Sequence, residues 1–256
     1  MPFLTAAGHR LEYERLPGRP GAPTLILLHE GLGSVALWRD FPQKLAQATG
    51  APLVVYSRYG YGQSDRLAEP RGPRYMHDEA LESLPALRQA LALDDVILVG
   101  HSDGASIALI HAGSGQWPVR ALILEAPHVF VEAMNLASIE AARRTYATTD
   151  LRRRLARYHA DVDSAFRGWN DAWLSAAFGD WTIEEYLPGI ACPVLAIQGA
   201  DDEYGTPAQL ETIARGVKGP FEPLVLRHCK HSPHRDQEAT VLEAMAEFVA
   251  RVSGPG

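Results

Sequence analysis

Six short runs of this chain are saturated with apolar residues: Thr24 to Leu28, Leu53 to Tyr56, Val96 to Val99, Ala121 to Leu124, Val194 to Ile197 and Leu224 to Leu226. Each has strand length, and amphipathic stretches of helical length separate most of them. Strands that are apolar on both sides need cover on both faces, and strands alternating with helices imply parallel pairing. The expected fold class is therefore α/β: a doubly wound, mostly parallel sheet with helices on both faces. Phe3 to Thr5 and Leu11 to Arg15 flank Ala7-Gly8-His9 and predict a hairpin feeding an antiparallel edge. Helices are expected at Asp40 to Ala48, at Met76 to Ala92 with Pro85 splitting or kinking it, at Ala105 to Ala112, and at Glu238 to Val252. The last places Leu242, Met245, Phe248, Val249 and Val252 on one face.

The alternation stops between Val129 and Pro188, where an arginine-rich run (Arg152, Arg153, Arg154, Arg157) precedes Trp169, Trp173, Phe178, Trp181 and Tyr186. A helical insertion between two sheet strands reads as a cap, about residues 129–188, on a single domain spanning 1–256. The arginines read as a solvated helix face. Acidic residues outnumber basic ones by 31 to 24, a formal charge of −7, which argues against nucleic acid or an anionic membrane as partner and leaves a small molecule. Cys192 and Cys229 are the only cysteines, which fits a reducing cytoplasm, and no leader or membrane-length apolar run is visible. Monomer and homodimer both remain open.

Chemistry concentrates at Val96-Ile-Leu-Val-Gly100-His101-Ser102-Asp103-Gly104-Ala105: a buried strand, then Gly-x-Ser-x-Gly, then a helix. Glycines on both sides permit a sharp turn that pushes the serine hydroxyl above the strand ends, making Ser102 the candidate nucleophile. A serine hydroxyl needs a histidine base, and the histidine needs a carboxylate to fix its tautomer. Asp201-Asp202-Glu203 follows the strand Val194 to Ile197, and His228, His231 and His234 follow Leu224 to Leu226. Both groups fall at the carboxyl ends of strands, where a shared pocket would form. The spacing of three between the histidines and the break at Pro233 argue against a metal site.

With these motifs in order, the chain resembles the α/β-hydrolase superfamily over nearly its full length. The resemblance rests on Leu28-His29-Glu30-Gly31-Leu32-Gly33, Gly60-Tyr61-Gly62-Gln63-Ser64, the Gly100 to Gly104 elbow, and the late Asp and His. It implies Asp202 as the acid, with Asp201 the fallback, and His231 as the base because His231-Ser232-Pro233 resembles the family's Gly-His-x-Pro turn. It also implies an oxyanion hole made by the backbone N–H groups of Asp103 and Gly31, with Leu32 an alternative to Gly31. Glu30 departs from the family's His-Gly-x, and Tyr59 stands at a frequent arginine position. A carboxylate beside a developing oxyanion would repel it, so Glu30 is expected to point away, be paired or be protonated. Glu30, Asp103 and Glu125 together suggest an acidic rim suited to a neutral or cationic substrate.

The activity so implied is hydrolysis of an ester-like acyl bond through a Ser-His-Asp triad and an acyl-enzyme, without metal or organic cofactor. Glu30, Leu32, Trp169, Trp173 and Phe178 are expected to line a pocket for a partly apolar substrate of drug-like size. A thioesterase or acyltransferase, or a carbon–carbon bond hydrolase, would use the same triad. A slow-turnover ligand-sensing protein is the alternative outside enzymology.

Overall fold

Ala7 and Gly8 have φ of 49° and 79°, the geometry of a two-residue hairpin turn, and join β1 (Phe3–Ala6) to β2 (His9–Leu16). A computed structural model describes residues 2–254 of the chain. β2 pairs antiparallel with β4 (Leu53–Tyr56), and from there every pairing is parallel. The sheet runs β1-β2-β4-β3-β5-β6-β7-β8, with β3 (Thr24–Leu28), β5 (Val96–His101), β6 (Ala121–Glu125), β7 (Val194–Gly199) and β8 (Phe221–Leu226) completing it. All but the last coincide with the apolar runs, extended by up to two residues.

The helices are α1 (Phe41–Thr49), α2 (Tyr75–Asp78), α3 (Leu84–Ala90), α4 (Asp103–Gly113), α5 (Ala133–Thr148), α6 (Leu151–Leu155), α7 (Val162–Trp173), α8 (Ala208–Gly216), α9 (Pro233–Asp236) and α10 (Glu238–Ser253). Side chains of successive strand residues point to opposite faces. In β3, Leu25 and Leu27 therefore join α1 and α10 through Phe41, Leu45, Met245 and Phe248. Ile26 and Leu28 join the other face with Met76, Leu84, Ile107 and Leu210. Burying each such side chain is worth about 1.5–3 kcal/mol, so both cores act on the same strands.

Three local features differ from simple sequence reading. The expected helix over 76–92 is split: α2 passes through one π-helical stretch, Glu79–Ser83, into α3, which begins with Pro85 in its first turn. The proline falls where the hydrogen-bonding register changes: the Leu84 N–H still donates to the Glu79 carbonyl in the π-helical stretch, and α3 follows. β8 starts three residues before its apolar run and includes Pro223; it is an edge strand, where proline is tolerated and Val225 can be 55% exposed. α8 went unpredicted because its inner face includes the polar Gln209 and Thr212. Between β6 and β7, α5, α6 and α7 form the helical insertion at the carboxyl ends of the strands. No helix among the described residues is long and apolar enough to cross a membrane.

Candidate active site

Ser102 sits between β5 and α4 with φ 53° and ψ −117°, a conformation that costs a non-glycine residue about 1–3 kcal/mol. The surroundings hold it there: its N–H donates to the Glu125 carbonyl at 2.9 Å, and its carbonyl accepts from Ala105 N–H at 2.8 Å. A Cβ on Gly100 would lie 2.3 Å from the Gly104 carbonyl oxygen, and one on Gly104 would lie 2.0 Å from that of Leu28. Both glycines are therefore required by close backbone approach, and the Ser102 hydroxyl is left at the mouth of the turn.

The residues marked after β7 and β8 meet it. His231 Nε2 is 2.9 Å from Ser102 Oγ, and His231 Nδ1 is 2.8 and 3.1 Å from the two Asp202 oxygens. The loops are brought together at Gly199, where an added Cβ would strike the Cys229 carbonyl at 2.1 Å, and by the Asp201 N–H donating to that carbonyl at 3.0 Å. Asp202 also accepts from the Tyr204 N–H at 2.8 Å. Burial opposes its charge, but His231 and the Tyr204 amide outweigh burial and hold its carboxyl below the usual range. Asp201 is exposed and lies 4.0 Å from the exposed His228, while His234 is buried against Glu125 at 2.9 Å. The three late histidines thus face three different carboxylates.

The loop after β3 is held from below by Arg58, which the sequence did not single out. Arg58 is wholly buried, one residue before Tyr59, and donates to the Glu30 carbonyl at 2.9 Å and the His29 carbonyl at 3.2 Å. His29 accepts the Arg58 N–H at Nε2 and donates from Nδ1 to the Glu30 carbonyl at 2.7 Å. In a trans peptide the C=O and the following N–H point oppositely. Drawing the Glu30 carbonyl inward therefore turns the Gly31 N–H outward, on the side where Gly31 lines the cavity. The Asp103 N–H, at the first position of α4, is free of intrahelical bonding, and the helix dipole adds positive potential there.

Negative charge around this loop is neutralised. Asp103 points its carboxylate away from the elbow, accepting from Tyr75 Oη at 2.5 Å and Trp173 Nε1 at 3.3 Å, with Arg58 at 3.8 Å. Glu30 faces His101 Nδ1 at 3.7 Å and Arg235 at 3.6 Å. Burial opposes its ionisation, yet these neighbours hold it well below the normal carboxyl range. His101 donates Nε2–H to the His231 carbonyl at 2.7 Å; burial lowers its pKa, but Glu30 more than offsets burial and raises it. Glu125 is fully buried and lies outside the cavity lining. Glu30 and Asp103 line the cavity, and among Glu30, Asp103 and Glu125 each carboxylate has a partner.

A cavity of about 220 Å³ opens over Ser102, lined by Glu30, Gly31, Leu32, His128, Asn135, Ile139, Trp169, Trp173, Glu203 and Tyr204, together with His101, Asp103, His231 and Ser232. Leu32, Trp169 and Trp173 are among the lining residues. Phe178 is not: it is fully buried in the cap, 4.6 Å from the Trp173 ring and stacked at 5.1 Å on Trp181, where it supports the wall from behind. The volume is below the 300–1,000 Å³ of sites for drug-sized ligands. Gly60 and Gly62 have φ of 88° and 57° and serve turns.

Sequence reasoning missed His128, Asn135, Ile139 and Tyr204 as well as Arg58. α5 carries two of them and is locked onto the acid loop. Glu132 accepts from Thr206 N–H at 3.0 Å and Gln209 Nε2 at 2.8 Å, and Ser138 Oγ donates to the Glu203 carbonyl at 2.5 Å. Such partners cannot be read from neighbours in sequence.

The chain is similar to known proteins in sequence and in fold. Over 125 residues the chain is 30% identical to a proline iminopeptidase of Heyndrickxia coagulans, 49% of this chain and 42% of that one. The chain thus spans less than half of that relative's length. It is 25% identical to the proline iminopeptidase of Saccharolobus solfataricus across 89% of this chain and 85% of the relative. A solved carboxylesterase structure from Nitrososphaera gargenis superposes with a TM-score of 0.76 at 20% identity, covering 98% of each chain, a likeness of fold. The family model described as alpha/beta hydrolase fold matches residues 23–171, more than half of the sequence, and the chain belongs to that family.

Proposed function

We propose that the protein is a serine hydrolase that cleaves esters of short acyl groups through an acyl-enzyme. The observation that carries this reading is the unbroken line from Ser102 Oγ through His231 to Asp202, with hydrogen-bond distances of 2.9 and 2.8 Å, at the base of a small cavity. Asp202 accepts the His231 Nδ1–H, so Nε2 is the basic nitrogen facing the serine. As Ser102 attacks the ester carbonyl, His231 takes the hydroxyl proton at Nε2, and Asp202 stabilises the imidazolium. The amides of Gly31 and Asp103 receive the oxyanion; each such donor is worth roughly 3–4 kcal/mol in the transition state. His231 then returns the proton to the leaving alcohol. Water attacks the acyl-enzyme by the same path in reverse, with His231 again as base.

The cavity volume sets the length of acyl group that fits. p-Nitrophenyl acetate and butyrate should be hydrolysed, with kcat/KM falling for the octanoate. Efficient hydrolysis of the octanoate with none of the acetate would contradict the reading.

A second reading follows from the proline iminopeptidases among the relatives: a small aminoacyl amide whose ammonium meets Glu203, exposed at the cavity mouth. Proline p-nitroanilide separates the two. Turnover of the anilide exceeding that of the neutral esters would favour this second reading.

A further inference from the structure

His128 follows β6, and its tautomer is fixed by Asn135. The Asn135 Oδ1 accepts the Glu132 backbone N–H, and its Nδ2 donates to the Tyr204 carbonyl, so two backbone partners of fixed polarity orient the amide. The same Nδ2 lies 3.3 Å from His128 Nδ1, which must therefore accept, leaving the ring proton on Nε2. Burial, then the neighbouring His231, push the ring's pKa down to about 3, so it stays neutral. Among the described residues Nε2 has no hydrogen-bond acceptor, and His128 is one of the residues lining the cavity.

The ring is held from two sides. It stacks on His231 with centroids 5.5 Å apart and planes at 25°, and meets the edge of Trp173 at 5.6 Å. The leaving oxygen must lie near the plane of the His231 ring, at Nε2, whereas His128 covers that ring's face. The substrate group within its reach is then the acyl substituent, close to the reacting carbon.

We propose that His128 Nε2–H is a specificity-determining donor, selecting small neutral acyl groups that carry an oxygen acceptor two or three bonds from the scissile carbonyl, such as 2-alkoxyacyl and 2-oxoacyl esters. This rests on the serine-hydrolase reading above. Methoxyacetyl and butyryl p-nitrophenyl esters are near-isosteric and differ by one oxygen for one methylene. Their kcat/KM ratio, divided by the ratio of their hydroxide rates, isolates recognition of that oxygen.

The wild-type protein should favour the methoxyacetate by about 3- to 10-fold beyond the hydroxide ratio, the size of one neutral hydrogen bond. In His128→Phe, which keeps a ring against His231, the corrected ratio should fall to about 1, whatever the absolute rates. His128→Gln, which retains an N–H donor, should recover part of the preference. A wild-type corrected ratio near 1, or a preference surviving in His128→Phe, overturns the inference while leaving the hydrolase reading intact. Hydrolysis of neither ester, together with no fluorophosphonate adduct on Ser102, overturns both.

Discussion

Replacing Gly31 by alanine tests the oxyanion loop through the space left beside Trp169. The Gly31 backbone does not lie in the left-handed region, so alanine is conformationally allowed. Its Cβ, however, would sit 2.2 Å from Trp169 Nε1 and 2.3 Å from Cδ1, where ordinary contact is about 3.5–4.0 Å. The indole or the loop must yield by well over an ångström. α7 holds Trp169 against Phe166 with centroids 6.0 Å apart, which favours movement of the loop. An oxyanion donor works only within about 2.7–3.1 Å of its target, so a shift of that size removes the Gly31 amide from use. The expected loss in kcat is about 10²- to 10³-fold, with overpacking lowering stability by about 1–3 kcal/mol. Steady-state ester hydrolysis and urea unfolding read the two effects separately. Trp169→Val supplies the control, because removing the indole makes room for the alanine. The double variant should lose far less activity than the product of the two single losses. Strictly multiplicative losses, or a Gly31→Ala enzyme with wild-type kcat, would refute the steric reasoning.

Three further outcomes follow. Asp202→Asn leaves the shape of the site intact but disturbs the His231 tautomer, and kcat should fall about 10³- to 10⁴-fold with little change in KM. Glu132→Ala removes the acceptor for Thr206 and Gln209 that clamps α5 onto the acid loop; kcat should drop about 10-fold or more and stability by about 1–3 kcal/mol, by the same two assays. His128 and His111 are neutral when folded, with burial the main cause of values near 3 and 4 against an ordinary 6.5. Depressed folded values mean the unfolded chain binds protons first, so these groups' stability is complete above about pH 6.5 and is lost as pH falls towards the folded values. Each contributes a slope of about 1.4 kcal/mol per pH unit within that window, and His128→Phe should remove one such slope from denaturation curves taken between pH 4 and 6.5.

Much of this molecule is legible in sequence because its constraints are local. β3, β5, β6 and β7 are covered on both faces, so burial imprints itself on every residue of each run. Ser102 is marked by two glycines, at which an added Cβ would lie 2.3 and 2.0 Å from backbone carbonyl oxygens. Asp202 and His231 fall where strands end. What the sequence conceals depends on contacts far along the chain. Arg58 follows an apolar strand like any polar loop residue, and only the fold turns it under Glu30, 28 residues away. His128 gains its role from Asn135 and His231, and the pairing of Glu125 with His234 spans 109 residues. Phe178 belongs to an aromatic run whose pattern is the same for a cap core as for a pocket wall. β8 and α8 carry weaker patterns because one is an edge strand and the other buries polar side chains.

Fluorophosphonate labelling with intact mass and peptide mapping tests most directly whether Ser102 is an activated nucleophile. The wild-type protein should gain one adduct, on Ser102; Ser102→Ala should gain none, and His231→Ala should react slower by several orders of magnitude. An unlabelled wild-type protein under conditions where a control serine hydrolase reacts fully, or an adduct on another residue, would contradict the account.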